Sequence, residues 1–242
     1  FDQVLMDVAL HKLGVTFVLD RAGLTGPDGA SHNGMWDHSI MGLVPGLHLA
    51  APRDETRLIE ALECAVAISD APTVIRFSKE AVPPPLPALR RVGQVDVLAD
   101  APGARLLVVG YGQFASLAAD IGRRLGDQGV PCTVVDPVWS LPVSADLVDL
   151  CRDYEHVVTV EDSLVVGGLG ARLALALQDA SVPTTIQNVG IPASFLDHAS
   201  RDELIDSLGL SAQAIARQLV ERAAAADDAS TAARSGVRNH LD

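Results

Sequence analysis

The chain has 242 residues, and 18 Lys and Arg against 31 Asp and Glu leave a net charge of −13. That sign excludes nucleic acid and an anionic membrane surface as principal partners, since either would repel most of the molecule. Hydrophobic residues at 48% and charged residues at 20% match a globular protein, and the length suits one large domain or two ordinary ones.

The sequence opens inside an element, at Phe1-Asp2-Gln3-Val4-Leu5-Met6, and so reads as a piece of a longer chain. Helical spacing runs over 2–13 and a buried strand over 15–19, followed by a polar, Gly-rich loop over 20–37. A short strand at 47–51 precedes a helix that Pro52, Asp54 and Glu55 open and that runs to about 69. Its Leu58, Leu62 and Ala65 recur at helical spacing. A third strand occupies 73–77. Residues 81–104 carry Pro83-Pro84-Pro85, Pro87, Pro102 and Gly103, and they read as a linker stiffened by proline.

Beyond it come a strand at 105–109, a helix at 115–125, a strand at 132–135 and a helix at 144–151. A strand at 157–160, a helix at 170–178 and a strand at 185–189 follow. Helices at 201–208 and 212–225 precede a small-residue tail, 226–242, expected to be flexible. Alternating strands and helices imply an α/β fold: two consecutive domains with largely parallel sheets, over 1–80 and 105–225.

The chemistry concentrates after the first strand, where open α/β sheets bind ligands. Leu19-Asp20-Arg21-Ala22-Gly23 is followed by Asp28-Gly29-Ala30-Ser31-His32-Asn33-Gly34-Met35-Trp36-Asp37. The glycines permit sharp turns and close approach to a ligand. Arg21, Asp28 and His32 place a fixed cation, an acceptor and a titratable imidazole in one loop, a set able to hold a phosphorylated sugar-like substrate and manage its protons.

Asp28-Gly29-x-Ser31-His32-x-Gly34 resembles the D-G-x-[ST]-H-x-G motif of the transketolase superfamily, with Ser31 where Thr is common. Asp20-Arg21-Ala22-Gly23 resembles the 1-deoxy-D-xylulose-5-phosphate synthase branch. Pro45-Gly46, Ala51-Pro52-Arg53-Asp54-Glu55, Thr73-Val74-Ile75-Arg76-Phe77, Glu161-Asp162 and Gly167-Gly168-x-Gly170 follow in the family's order. The resemblance implies a thiamine diphosphate-dependent transferase with Mg2+. By that likeness it would condense pyruvate with glyceraldehyde 3-phosphate, for isoprenoid and thiamine precursors; the scattered cysteines make a reducing cytoplasm the expected location. By that likeness Arg21 holds the acceptor phosphate, Asp28 the acceptor hydroxyls, and His32 is the catalytic residue near the reacting carbons. Arg76 and Lys79 supply further substrate contacts. The cofactor-binding residues are expected upstream of Phe1, in a missing amino-terminal portion, so the piece alone is expected to be inactive. Family members are dimers, and a homodimer is expected.

One segment departs from the pattern. Arg76-Phe77-Ser78-Lys79-Glu80 stands where the family carries R-[FY]-P-[RK]-G, and Glu80 sets a negative charge beside Lys79.

A competing motif is Gly110-Tyr111-Gly112-Gln113-Phe114-Ala115 after a strand, with Asp136 ending the next strand. This spacing is that of a nicotinamide dinucleotide fingerprint, although tight strand-to-helix packing also accounts for both glycines. Transketolase itself and the beta subunit of 2-oxo acid dehydrogenases are the nearer alternatives. Gly167-Gly168-Leu169-Gly170 reads as a close-packed helix entry, with an anion site as the minor reading. Cys64, Cys132 and Cys151 lack C-x-x-C spacing and read as small buried thiols in a reducing compartment. His11, His38, His48, His156 and His198 lack metal spacing and read as surface or satisfied polar groups. Trp36 and Trp139 read as packing residues.

Overall fold

The segments rich in β-branched residues form the centre of a first sheet. β1 (Thr16–Leu19), β2 (His48–Ala50) and β3 (Thr73–Arg76) are parallel, with β3 between the other two and Thr16 opposite Thr73. The computed structural model describes residues 1–238. Between the first two strands lies a short helix, α1 (Asp37–Met41). α2 (Glu55–Ala67) starts where the Asp54 carboxylate accepts the Arg57 N–H at 2.9 Å, and it turns Ala61 and Ala65 onto the sheet.

The second sheet has six strands. In chain order they are β4 (Arg90–Val92), β5 (Val95–Asp100), β6 (Leu106–Gly110), β7 (Cys132–Asp136), β9 (His156–Leu164) and β10 (Thr185–Ile191). They lie in the order β10-β9-β6-β7-β5-β4; the first four are parallel, and β5 and β4 are antiparallel additions. One face is covered by α3 (Phe114–Asp127) and α7 (Ala212–Arg238), through Ile121, Leu125, Ile215 and Leu219. The other is covered by α4 (Ala145–Cys151) and α5 (Leu169–Asp179), and its core of Leu107, Val109 and Val135 runs on into Leu49 and Val74 of the first sheet. β8 (Trp139–Leu141) crosses over to pair antiparallel with β2, so the second unit contributes a strand to the first. The fold is thus two largely parallel α/β layers joined by one core.

Several expectations need correction. The span 81–104 contains the β4–β5 hairpin. Val95, Val97 and Leu98 are buried, and Gly93-Gln94 makes a two-residue turn with Gly93 at φ +55°. The proline cluster therefore marks only the approach to the hairpin. The helix expected over 2–13 is shorter: residues 2–3 are α-helical, Val4–Ala9 is π-helical, and 10–12 form a turn. α7 runs on to Arg238, into the span 226–242 expected to be a flexible tail; residues 239–242 lie outside the described residues. Cys132 and Cys151 are buried, and burial pushes their thiols up to about 11 and about 12, but Cys64 is exposed on α2. His38 is fully buried, whereas His11, His156 and His198 are exposed. Among the described residues no helix is long and apolar enough to cross a membrane.

Candidate acceptor-binding site

At the carboxyl ends of β1 and β3 the chain leaves the sheet in two turns that face each other. Arg21 takes a left-handed backbone, φ +60°, unusual for a side chain with a Cβ. The turn is fixed on both sides: Ala22 N–H donates to the Phe77 carbonyl at 2.9 Å and Gly34 N–H to the Gly23 carbonyl at 2.8 Å. Gly34 has no alternative, since a Cβ there would lie 2.2 Å from the Arg21 carbonyl oxygen.

These turns border a cleft of about 390 Å³, lined by Asp20, Arg21, Arg53, Lys79 and Glu80, with Gln113 from the second unit. Asp28 stands between the two cations, 2.9 Å from Lys79 Nζ and 3.8 Å from Arg21 Nη1. Its carboxyl is held below the usual range chiefly by the Lys79 hydrogen bond, with Arg21 and His32 adding to the effect. His32 is exposed in the same loop, its Nδ1 2.9 Å from Ser31 Oγ. Tertiary structure therefore brings Arg21, Asp28 and Lys79 together, with His32 beside them. The buried Ser78 Oγ accepts the Glu80 N–H at 3.1 Å, which ties the turn beside Lys79.

Arg76 is placed differently. It is 3% exposed and reaches not the cleft itself but a small pocket beside it, walled by Phe77, Ser78, Gln113 and Asp162. Its Nε donates to Asp37 Oδ2 at 2.7 Å, its Nη2 to the Asp162 carbonyl at 2.9 Å, and its guanidinium lies over the Tyr111 ring. Burial opposes its charge, but Asp37 more than offsets that opposition. The geometry is that of a residue joining two elements.

Two further motifs are consumed by packing. A Cβ on Gly110 would fall 2.5 Å from the Ala118 Cβ, and Gly112, at φ +58°, faces Ala51 of the first unit at 3.0 Å. Asp136, the acid of the dinucleotide spacing, is buried and held by Arg53. The entry to α5 is filled by the Glu161 carboxylate, which accepts Leu169 N–H at 2.8 Å, Gly170 N–H at 3.0 Å and Ser163 O–H at 2.5 Å. Burial raises the Glu161 pKa against these three donors. The place an external anion would take at this helix end belongs to Glu161.

Sequence reasoning attached no chemistry to Asp162 and never singled out Arg201, although both reach the loop after Arg21. Asp162 belongs to the Glu161-Asp162 pair, a legible signal. Arg201 is 177 positions from the Leu24 carbonyl it binds, and nothing local announces it.

Among the described residues no three His, Cys, Asp or Glu side chains converge as a metal site.

Comparison with known proteins bears on the family and the fold. The transketolase pyrimidine-binding domain description matches residues 1–85, and the transketolase C-terminal domain description matches 93–215. A 1-deoxy-D-xylulose-5-phosphate synthase from Pseudarthrobacter chlorophenolicus is 52% identical over 225 residues, and 1-deoxy-D-xylulose-5-phosphate synthase 2 from Streptomyces coelicolor is 55% identical over 222. These alignments cover 91% and 90% of this chain but 34% of each relative, so the chain spans about a third of their length. A solved split-gene transketolase, described as an inactive β4 tetramer, superposes with a TM-score of 0.78 at 25% identity, covering 92% of this chain and 71% of that one. Fold, domain matches and relatives agree that the chain belongs to the transketolase family.

Proposed function

We propose that the chain forms the acceptor-binding part of a 1-deoxy-D-xylulose-5-phosphate synthase, which condenses pyruvate with glyceraldehyde 3-phosphate and releases carbon dioxide. The observation that carries this reading is the convergence of Arg21 and Lys79 on Asp28 at the cleft. A phosphate entering there would take over both cations from Asp28, whose carboxylate is then free to accept acceptor hydroxyls. His32, exposed in the same loop as Asp28, would hold or move a proton at the reacting carbonyl. Arg76 would act indirectly, by fixing the strand end that carries Lys79.

Thiamine diphosphate supplies the carbanion chemistry, and with Mg2+ it would be bound mainly by the amino-terminal portion that the relatives possess. The inactive state named for the split-gene neighbour supports a chain that works only with that portion; the homodimer expected from the family likeness is part of the same proposal. The dinucleotide reading is disfavoured because Asp136 is occupied by Arg53.

The test is turnover of pyruvate and glyceraldehyde 3-phosphate, with thiamine diphosphate and magnesium, by this chain with and without the amino-terminal portion. Activity is expected only with both. In that assembly Arg21→Ala should raise the acceptor KM by at least about tenfold, the loss of one charge-assisted bond, and leave the pyruvate KM nearly unchanged. Equal effects on the two substrates would remove the assignment.

A further inference from the structure

Leu24, just beyond the Arg21 turn, has both backbone polar groups bound by residues of the second unit. Its N–H donates to Asp162 Oδ1 at 3.1 Å, and its carbonyl accepts from Arg201 Nη1 at 2.6 Å. The two side chains are also joined to each other, Arg201 Nη2 donating to Asp162 Oδ2 at 2.6 Å. Their side chains are 5% and 12% exposed. The result is a closed, charge-assisted ring shielded from water, where such bonds are strong and their geometry is well defined.

The loop is fitted to this pair. A Cβ on Gly23, at φ +74°, would lie 2.2 Å from Asp162 Oδ2; one on Gly26, at φ +71°, would lie 2.6 Å from the Arg201 backbone nitrogen. Two of the loop's glycines are therefore explained by contact with Asp162 and with α6 (Arg201–Ser207), and not by contact with a ligand. Phe114 packs beneath the Arg201 guanidinium, 5.8 Å from its Cζ to the ring centroid. Upstream, the φ of +60° at Arg21 persists only while its surroundings over-determine the turn. Phe77 and Gly34 hold that turn from the first unit, and Asp162 with Arg201 holds it from the second.

We infer that Asp162 and Arg201 are positioning residues for acceptor binding. They aim Arg21 at the cleft and set the start of the loop carrying Asp28 and His32; Asp162 borders only the small pocket that adjoins the cleft, and Arg201 lies behind it. This inference rests on the reading of that cleft as the acceptor site. It gives the carboxy-terminal unit a part in substrate recognition exerted through the backbone of Leu24.

The test is steady-state kinetics of the assembled holoenzyme, comparing the unaltered protein with Arg21→Ala, Arg201→Ala, Arg201→Lys and Asp162→Asn. Arg201→Ala should raise the acceptor KM by about tenfold or more with the pyruvate KM within about twofold. Arg201→Lys keeps a charge against Asp162 but lacks the fork that also reaches Leu24, so it should fall between. Asp162→Asn keeps an acceptor for Leu24 and should also fall between. Amide exchange over residues 20–34 should quicken in the same order. If Arg21→Ala raises the acceptor KM and folded Arg201→Ala does not, the positioning role is overturned and the acceptor site stands. Parallel losses for both substrates, or a lower melting temperature with no split between them, overturn it equally. Should Arg201→Ala not accumulate, Arg201→Lys and Asp162→Asn decide, and an unchanged acceptor KM in both overturns the role. If Arg21→Ala itself has no acceptor effect, the acceptor site fails and the positioning role falls with it.

Discussion

Arg53 Nη1, in the loop between β2 and α2, lies 2.8 Å from Oδ2 of Asp136 at the end of β7, and both residues are shielded from solvent. The same nitrogen reaches Asp96 Oδ2 at 2.7 Å, and Arg57 and Arg91 close on Asp96 from outside. One arginine beside the cleft thus ties the helix after β2 to the middle of the second sheet.

Arg53→Met should destabilise the protein by about 3–5 kcal/mol, because it leaves a buried carboxylate without its cation. Asp136 bears most of that cost, as Asp96 keeps two other arginines. Burial already pushes Asp136 up to about 6 despite Arg53. A carboxyl raised in the folded state favours folding where it is protonated, and that contribution is lost as pH rises through the folded pKa. Removing the cation raises this pKa further. The deficit of Arg53→Met, read from denaturant midpoints, should therefore shrink on going from about pH 8 to about pH 5. A deficit independent of pH would contradict this account.

His38 gives the opposite slope. Its Nε2 lies 2.8 Å from Ser140 Oγ, itself 2.6 Å from the Tyr111 hydroxyl. Burial, and then the positive charges of Arg76 and Arg172, lower its pKa from 6.5 to about 3. The unfolded chain takes up the proton first, so the stability His38 contributes is complete above about pH 6.5 and is lost as pH falls toward 3. The loss approaches about 1.4 kcal/mol per pH unit within that window. His38→Gln should flatten the acid limb of a melting-temperature profile between about pH 6.5 and pH 5, measured as the difference from the unaltered protein. Parallel limbs in the two proteins would rule His38 out as the source.

Glu161 supplies the acceptor that α5 lacks at its glycine-rich entry. Glu161→Ala strands the Leu169 and Gly170 N–H groups and should cost about 2–4 kcal/mol. Glu161→Gln keeps one acceptor oxygen and should cost roughly half as much. Because the carboxylate occupies the helix end, added sulfate should not raise the melting temperature of the unaltered protein through this site. A stabilisation by sulfate that disappears in Arg21→Ala would instead report the cleft.

Glu80 lines the cleft beside Lys79. Glu80→Gly removes a repulsive charge from a phosphate site, and at such partly exposed distances this is worth about 0.5–1 kcal/mol. The acceptor KM of the assembled enzyme should fall by about two- to fivefold, with the pyruvate KM unmoved and the effect reduced by added salt. No change at low salt would mean that Glu80 points away from the phosphate.

The order and type of most elements follow from the sequence alone. Strand-forming runs such as 106–109 and 132–135 alternate with helical spacing, and Asp54 and Ser144 announce helix starts that the structure confirms by their caps. The family likeness was equally local, carried by Asp20-Arg21-Ala22-Gly23 and the loop that follows it. What stayed hidden depends on contacts between distant segments. β8 is three residues long and exists because β2 offers it an open edge. The β4–β5 hairpin was masked by the prolines just before it.

The same division holds within the site. Residue types marked Arg21, Asp28 and His32 as able to hold a phosphorylated substrate, and the family likeness added Lys79. Local pattern could not reveal that Arg76 spends its charge on Asp37, that Asp136 spends its own on Arg53, or that Arg201 holds Leu24. A charged side chain is free for a ligand only when no buried partner claims it. The partner is chosen by packing across some tens to hundreds of residues of chain, so only the tertiary structure decided which charges face the cleft.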